Sequence, residues 1–285
     1  QVTVPEEVNE TINYLGQGYA FIWQNIKSDI LFNGNNISNN SEFDHYLKRF
    51  GYNFKNESRE FGGYAILRNK KISLIMDVGN SPNLNFSKDY QSGAMSFEII
   101  SNGKKLISNC GYFDNKNIKL NELSKSTATH SALIIDDHSS CHFKKIDKDS
   151  VILNNELKIL KKNIVFEKNY WKINAAHNGY QKKYNLIYER EIEFYPEKNK
   201  FIGTDKILNK QSNFNIKFDI RFHLEPAVKF MKTQNNKAVL IELENEGWKF
   251  TCDKFDINID NGLYFGNKNL YTQNQNIFIS GIANN

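Results

Sequence analysis

The sequence predicts a mainly β chain: a large antiparallel β-sandwich of the super-sandwich type, preceded by a short helical segment. Three observations carry that expectation. Apolar residues recur at helical spacing only in the first 60 residues, and from Phe61 onward the period becomes two. Strand-like runs then follow one another at spacings of roughly 8 to 12 residues, separated by turn residues. Asn102-Gly103, set between two apolar runs, is a strong hairpin signal, because a type I′ turn needs positive φ at both central residues.

In residues 5–31, Val8, Ile12, Leu15, Tyr19, Ile22, Trp23, Ile26 and Ile30 fall on one helical stripe, which Gly16 and Gly18 divide into two helices. Asn33-Gly34-Asn35-Asn36 ends that run, and Ser41 is an N-cap for one more short helix. From Phe61 the strands begin. Residues 63–67 and 72–77 pair around Asn69-Lys70, and residues 94–101 and 104–109 pair around Asn102-Gly103. A polar loop leads to a third strand at 131–135, which should bring His130 and the hairpin flanks to one edge of one sheet. Further strands are read at 151–153, 157–160, 164–176, 184–195, 201–208, 214–224, 238–243, 248–252, 255–259, 263–265 and 277–282. Pro196 ends the strand before it, and only four prolines occur in the chain, as long uninterrupted strands require.

The totals narrow the function classes. The chain has 285 residues, 40% hydrophobic and 24% charged, enough for a sizeable core. No apolar run approaches the roughly eighteen residues of a membrane span, so no membrane partner is expected. The first residue is Gln, which suggests a processed or excised piece. A net charge of +5 is spread among interleaved acidic residues rather than gathered into a stripe, which argues against nucleic acid. A mild positive balance is most simply an ordinary solvated surface, and it also suits a polyanion such as an acidic glycan. Cys110, Cys141 and Cys252 are too few and too dispersed for a disulfide framework; they read as buried thiols, with Cys110 and Cys141 near each other through the sheet. There is no phosphate loop, nucleophile elbow or nucleotide fingerprint.

A series of motifs runs through the β part in fixed order. It comprises Gly62-Gly63-Tyr64, Asp77-Val78-Gly79, Ser92-Gly93-Ala94-Met95-Ser96-Phe97-Glu98, Ser108-Asn109-Cys110-Gly111-Tyr112 and Ser126-Thr127-Ala128-Thr129-His130-Ser131. His177-Asn178-Gly179-Tyr180, Arg221-Phe222-His223-Leu224 and Glu246-Gly247-Trp248-Lys249-Phe250 complete it. From Phe61 to the end this series resembles the C-terminal β-domain of the heparinase II/III-like polysaccharide lyases. The resemblance implies a domain at 61–285 and makes residues 1–60 the tail of a missing N-terminal helical toroid. It implies an acidic, uronate-containing polysaccharide lying between the two parts and cleaved by β-elimination. The principal base and acid of such enzymes come largely from the toroid, so this piece alone is expected to be inactive. A periplasmic or cell-envelope location is implied, with the cytoplasm as the alternative.

The resemblance also singles out residues. Relatives hold a divalent metal, usually zinc, at positions matched here by Gln91, Asn109 and His130. Zinc takes three or four His, Cys or carboxylate ligands, and two of these three are neutral amides. No metal and no other cofactor is therefore expected, Asp89 and Cys110 being the conceivable substitutes. His130 is expected instead to bond the side-chain oxygens of Asn109 or Gln91. A histidine that faces the substrate in relatives is replaced by Asp89, or by Tyr90 if the turn is offset. Lys88 is the candidate cation, and Lys88 and Tyr90 are the candidate substrate contacts. His177, Tyr180 and His130 are the candidate catalytic residues, since Tyr and His can be tuned to act as base and acid. The competing reading of His177-Asn178-Gly179-Tyr180 is a turn whose Tyr packs and whose His caps a strand. His223 reads as structural, His138 and His142 as a solvated pair, and Glu98, Glu189 and Glu191 as strand carboxylates without an evident catalytic pairing. The alternative function is a non-catalytic glycan-binding or scaffold module with an eroded site.

Overall fold

The computed structural model describes residues 59–113, 117–146, 151–209, 215–266 and 270–284, together with residue 49. The expected helical lead lies outside the described residues except for Arg49, which is helical, and for its last two, Arg59 and Glu60, which are already strand.

The first sheet is a meander of β1 (Arg59–Phe61), β2 (Tyr64–Arg68), β3 (Ile72–Asp77), β4 (Phe97–Ser101) and β5 (Lys104–Ile107), in sequential order. The period of two divides its side chains between two faces. Ala65, Leu67, Ile72, Leu74, Met76, Phe97 and Ile99 enter the main core. The register sets Tyr64 opposite Asp77, Ile66 opposite Ile75, and Ile75 opposite Glu98, so these share the other face. That face is also covered, with Ile66, Ile75 and Glu98 all buried, and it carries the polar groups of the site. The β4–β5 turn has φ of 48° at Asn102 and 78° at Gly103, the pair of left-handed conformations that the type I′ reading requires.

A bulge interrupts β4–β5: Ile99 pairs with Ile107 but Ile100 with Lys105. Ser108 then bridges His223, so the chain leaves the first sheet at this point. The stretch read as a polar loop contains α1 (Ile118–Ser124), whose N-cap Asn117 accepts from Leu120 N, followed by a 3₁₀ turn at Thr127–Thr129. The strand expected at 131–135 is β6 (Leu133–Ile135). It does not join the hairpin's sheet. It pairs with β13 (Asn215–His223), because the crossing at Ser108 carries the chain to a different layer.

β7 (Phe143–Lys145) and β8 (Val151–Leu153) form a ribbon. β9 (Ile159–Glu167), β10 (Tyr170–His177), β11 (Leu186–Tyr195) and β12 (Lys200–Asn209) form a second antiparallel meander, with α2 (Gln181–Tyr184) between β10 and β11. The single strand expected at 164–176 is two, because Lys168-Asn169 is a two-residue turn that sets Glu167 opposite Tyr170. β13 (Asn215–His223), β14 (Lys229–Lys232), β15 (Ala238–Leu243), β16 (Glu246–Thr251), β17 (Ile257–Tyr264) and β18 (Thr272–Asn284) complete the chain. β14 was not anticipated, and the runs at 255–259 and 263–265 are one strand. β14–β16 make a small sheet, and β17-β18-β13-β6 another.

One core joins these sheets. Trp171, Tyr188 and Phe194 meet Leu74, Met76 and Phe97, with Phe218, Ile277 and Ile241 from the remaining layers. Inside it Arg190 is 1% exposed. Its Nε donates to Asp205 Oδ1 at 2.7 Å, and its Nη1 to Met95 O at 3.0 Å and Ser131 O at 2.6 Å. A buried guanidinium needs such full pairing to offset its lost hydration. Met95, at φ 60°, precedes β4 and Ser131 precedes β6, so this one side chain fixes both segments against the second sheet.

Candidate functional site

Three segments converge on the polar face of the first sheet: residues 88–93 before β4, 108–111 after β5, and 124–131 before β6. Between them and the sheet lies a cavity of about 150 Å³ lined by Tyr64, Ile75, Asp77, Asp89, Tyr90, Gln91, Gly93, Ser96, Glu98, Asn109 and His130. The three positions singled out as the family's metal set therefore share one wall. So do Asp89 and Tyr90.

Each of the three is fastened to backbone. Gln91 Nε2 donates to Ser124 O at 2.8 Å and Gly111 O at 3.1 Å, joining all three segments. Asn109 Oδ1 accepts from Ser131 N at 2.8 Å, and its own N–H donates to Glu98 Oε1 at 3.0 Å. His130 Nδ1 donates to Ser126 O at 2.8 Å, because the 3₁₀ turn brings that carbonyl under the ring. The expected bonds from His130 to Asn109 or Gln91 are not formed; the ring is turned to its own segment instead. With Nδ1 as donor, Nε2 keeps its lone pair, and it has no hydrogen-bond partner among the described residues. Gly93 packs along that edge of the ring, so closely that a Cβ there would lie 2.7 Å from Cδ2 and 3.0 Å from Nε2.

The electrostatics of the cavity follow from desolvation. Burial pushes His130 down to about 4, so the ring is neutral. Asp77 is pushed up to about 7 by burial, against the opposing hydrogen bond that its Oδ1 accepts from Gly79 N at 3.0 Å. Burial, aided by the Asp77 charge, raises the Tyr64 hydroxyl; burial, aided by Cys141 and then Asp77, raises Tyr90. Both phenols stay protonated at neutral pH. Glu98, on the same face, forms a buried ion pair with Lys105, which is 4% exposed and lies 3.2 Å from its Oε2. Asp89 accepts from the Tyr112 hydroxyl at 3.3 Å. Sequence reading missed Asp77 as a site group; its place opposite Tyr64, in phase with Glu98, was the available signal.

The other expected residues lie elsewhere. Lys88 is exposed, and its carbonyl accepts from the buried Lys125 Nζ. His177 and Tyr180 are each 1% exposed, in the sealed turn between β10 and β11, and neither lines the cavity. His177 Nδ1 accepts from Gly179 N at 3.1 Å, and Tyr180 donates its hydroxyl to Leu133 O at 2.6 Å. Burial pushes His177 down to about 3 and raises Tyr180. The turn packs rather than presents these side chains, because Gly179 sits directly on Ser140, where a Cβ would come within 2.6 Å of its carbonyl oxygen. His223 donates from Nε2 to Ala128 O at 2.9 Å and lies 3.1 Å from the Cys110 thiol by Nδ1. Cys110 and Cys141 belong to separate clusters and do not meet. His138 bonds the Tyr184 hydroxyl, with the His142 ring 6.4 Å away.

The metal implied by the family does not fit this donor set. Among the described residues no three His, Cys, Asp or Glu side chains gather to hold an ion. The Asn109 oxygen is occupied by a backbone N–H, and Gln91 turns its nitrogen to two carbonyls.

Known proteins share this architecture. The fold matches a crystal structure of a mutant heparan sulfate lyase HepC from Pedobacter heparinus with a TM-score of 0.71 at 13% identity, covering 98% of this chain and 46% of that one. It matches the heparinase III-BT4657 gene product with a TM-score of 0.71 at 13% identity, covering 97% and 44%. It matches a further heparinase III structure with a TM-score of 0.66 at 16% identity, covering 98% and 47%. The chain thus spans just under half the length of each of these proteins. No curated protein matches the sequence. The profile "Heparinase II/III-like, C-terminal" matches residues 57–284, most of the chain. On that match the chain belongs to the heparinase II/III-like family, of which it carries the C-terminal domain.

Proposed function

We propose that this chain is the β-domain part of a protein that cleaves acidic, uronate-containing polysaccharide by β-elimination, with the residues before 57 as the tail of the helical domain that closes the cleft. The observation that carries the reading is the cavity: it gathers Asp89, Tyr90, Gln91, Asn109 and His130, the positions that the family resemblance marks for substrate and metal. The similar structures are named as heparan sulfate lyase and heparinase III, which supports an acidic glycan as the substrate class.

β-Elimination needs a base for the proton at C5 of the uronate, a group to neutralise its carboxylate, and an acid for the leaving oxygen. An acid–base group works best with a pKa near the operating pH. In the cavity Asp77, pushed up to about 7, is that group, and the protonated Tyr64 and Tyr90 hydroxyls are donors. Lys88 is exposed and outside the cavity lining, next in the chain to Asp89, and is the cation proposed for the uronate carboxylate. A second wall, with a base facing the sugar, has to come from the helical domain. The isolated chain should therefore be inactive. Incubating it with heparan sulfate and alginate, while following the ultraviolet absorbance of the unsaturated uronate, should give no product; the full-length protein should give product. Robust product from the 285-residue chain alone contradicts the reading.

A second reading, a non-catalytic glycan-binding or scaffold module, is favoured by a specific feature. Asp89 stands where relatives face the substrate with a histidine, and the amides of Gln91 and Asn109 stand at two metal-ligand positions, so the catalytic set is eroded while the cavity remains. A full-length protein that retains glycan but releases no unsaturated product supports this second reading over the first.

A further inference from the structure

In a family whose metal would join residues 91, 109 and 130, this chain joins the same three segments by other bonds. Gln91 ties residues 88–93 to Gly111 and to Ser124. Asn109 ties the end of the hairpin to Ser131 and, through its backbone, to Glu98. His130 ties its ring to Ser126. We infer that these side-chain-to-backbone bonds replace the metal, so that the domain folds and keeps its cavity without any divalent ion.

Donor direction decides between the two. A metal needs lone pairs turned toward a common point, at about 2.0 to 2.3 Å for zinc. Gln91 instead presents N–H groups to two carbonyls, and the Asn109 oxygen already accepts a backbone N–H. Of the cavity's carboxylates, Glu98 is held by Lys105 and by Asn109 N, Asp89 by the Tyr112 hydroxyl, and Asp77 by Gly79 N. Among the described residues His130 Nε2 is the one imidazole nitrogen that lines the cavity with its lone pair unused, and Gly93 is packed along the same edge of the ring. One imidazole does not make a zinc site. Gln91 and Asn109 are placed to hold the segments together, and His130 braces its own segment. Gln91, Asn109 and His130 are 9%, 3% and 1% exposed, and buried hydrogen bonds of this kind leave costly orphans when broken. The integrity of the domain rests on these bonds whether or not the protein is a lyase.

The test uses the 285-residue chain purified without added metal. Elemental analysis should find far less than one zinc per chain, titration with zinc chloride should show no saturable one-to-one binding, and a chelator should leave the melting temperature unchanged. Gln91→Met, close in volume but without the two donor bonds, should melt several degrees lower or fail to fold. About one zinc per chain, lost together with stability on chelation, overturns the inference. So does a Gln91→Met chain that melts at the wild-type temperature.

Discussion

Two places in this molecule set a buried histidine near a tyrosine, and they differ in what surrounds them. In the turn after β10, His177 Nδ1 accepts from Gly179 N, Tyr180 donates to Leu133 O, and Gly179 is pressed on Ser140. At the cavity, His130 Nδ1 donates to Ser126 O, and Tyr64, Tyr90 and Asp77 line open volume with the ring. Residue types are alike in the two places. Packing separates them: the turn is a structural joint, and the cavity is the place where a ligand can be met.

The sharpest way to break this comparison is truncation. His177→Ala leaves a hole in a sealed region and strands the Gly179 N–H, and should cost about 2–4 kcal/mol in chemical denaturation. His130→Ala merely enlarges an existing polar cavity and should cost less, about 1–2 kcal/mol, through the freed Ser126 carbonyl. If His130→Ala costs more than His177→Ala, the contrast between joint and cavity is wrong.

Protonation offers a second cut, with opposite signs for the buried histidines and for Asp77. Burial holds His177 and His223 down to about 3, from an ordinary 6.5. Below pH 6.5 the unfolded chain takes up protons that the folded chain refuses, so this stability is complete above pH 6.5 and lost as pH falls toward 3. Asp77 is raised from 3.8 to about 7, so the folded chain holds a proton that the unfolded chain has released. Its contribution is present below pH 3.8 and lost as pH rises through 7. Asp77→Asn keeps the acceptor for Gly79 and removes the charge. It should be more stable than wild type at pH 8, by on the order of 2 kcal/mol, and melt higher there, with no gain near pH 4. Equal melting temperatures at pH 8 would show that Asp77 is not desolvated.

A smaller effect tests the hairpin that carries the cavity. Gly103 has φ of 78° and nothing within 4 Å of a built Cβ, so Gly103→Val meets only backbone strain, about 1–3 kcal/mol. An unchanged melting temperature would remove the type I′ assignment.

The fold was legible because its signals are local. Alternation from Phe61 onward and Asn102-Gly103 announce strands and a primed turn within a few residues. What stayed hidden is set at long range. The pairing of β6 with β13 joins residues some eighty positions apart, and no feature of Leu133–Ile135 specifies it. The same holds for the site: positions 91, 109 and 130 were found together, but the partners of Gln91 are carbonyls of Gly111 and Ser124, which any residue would offer. Asp77 was passed over because its unusual protonation comes from burial, which one sequence does not display. His177 and Tyr180 were overread for the same reason.

The central claim, that the cavity and not the turn meets the ligand, is tested most directly by histidine ring resonances. Carbon–proton spectra of the chain would be recorded while a uronate-containing oligosaccharide is added, with the signals assigned from His130→Gln and His177→Gln. The account predicts that the His130 resonance shifts in a saturable way while His177 stays fixed. A His177 resonance that moves while His130 remains still would contradict it.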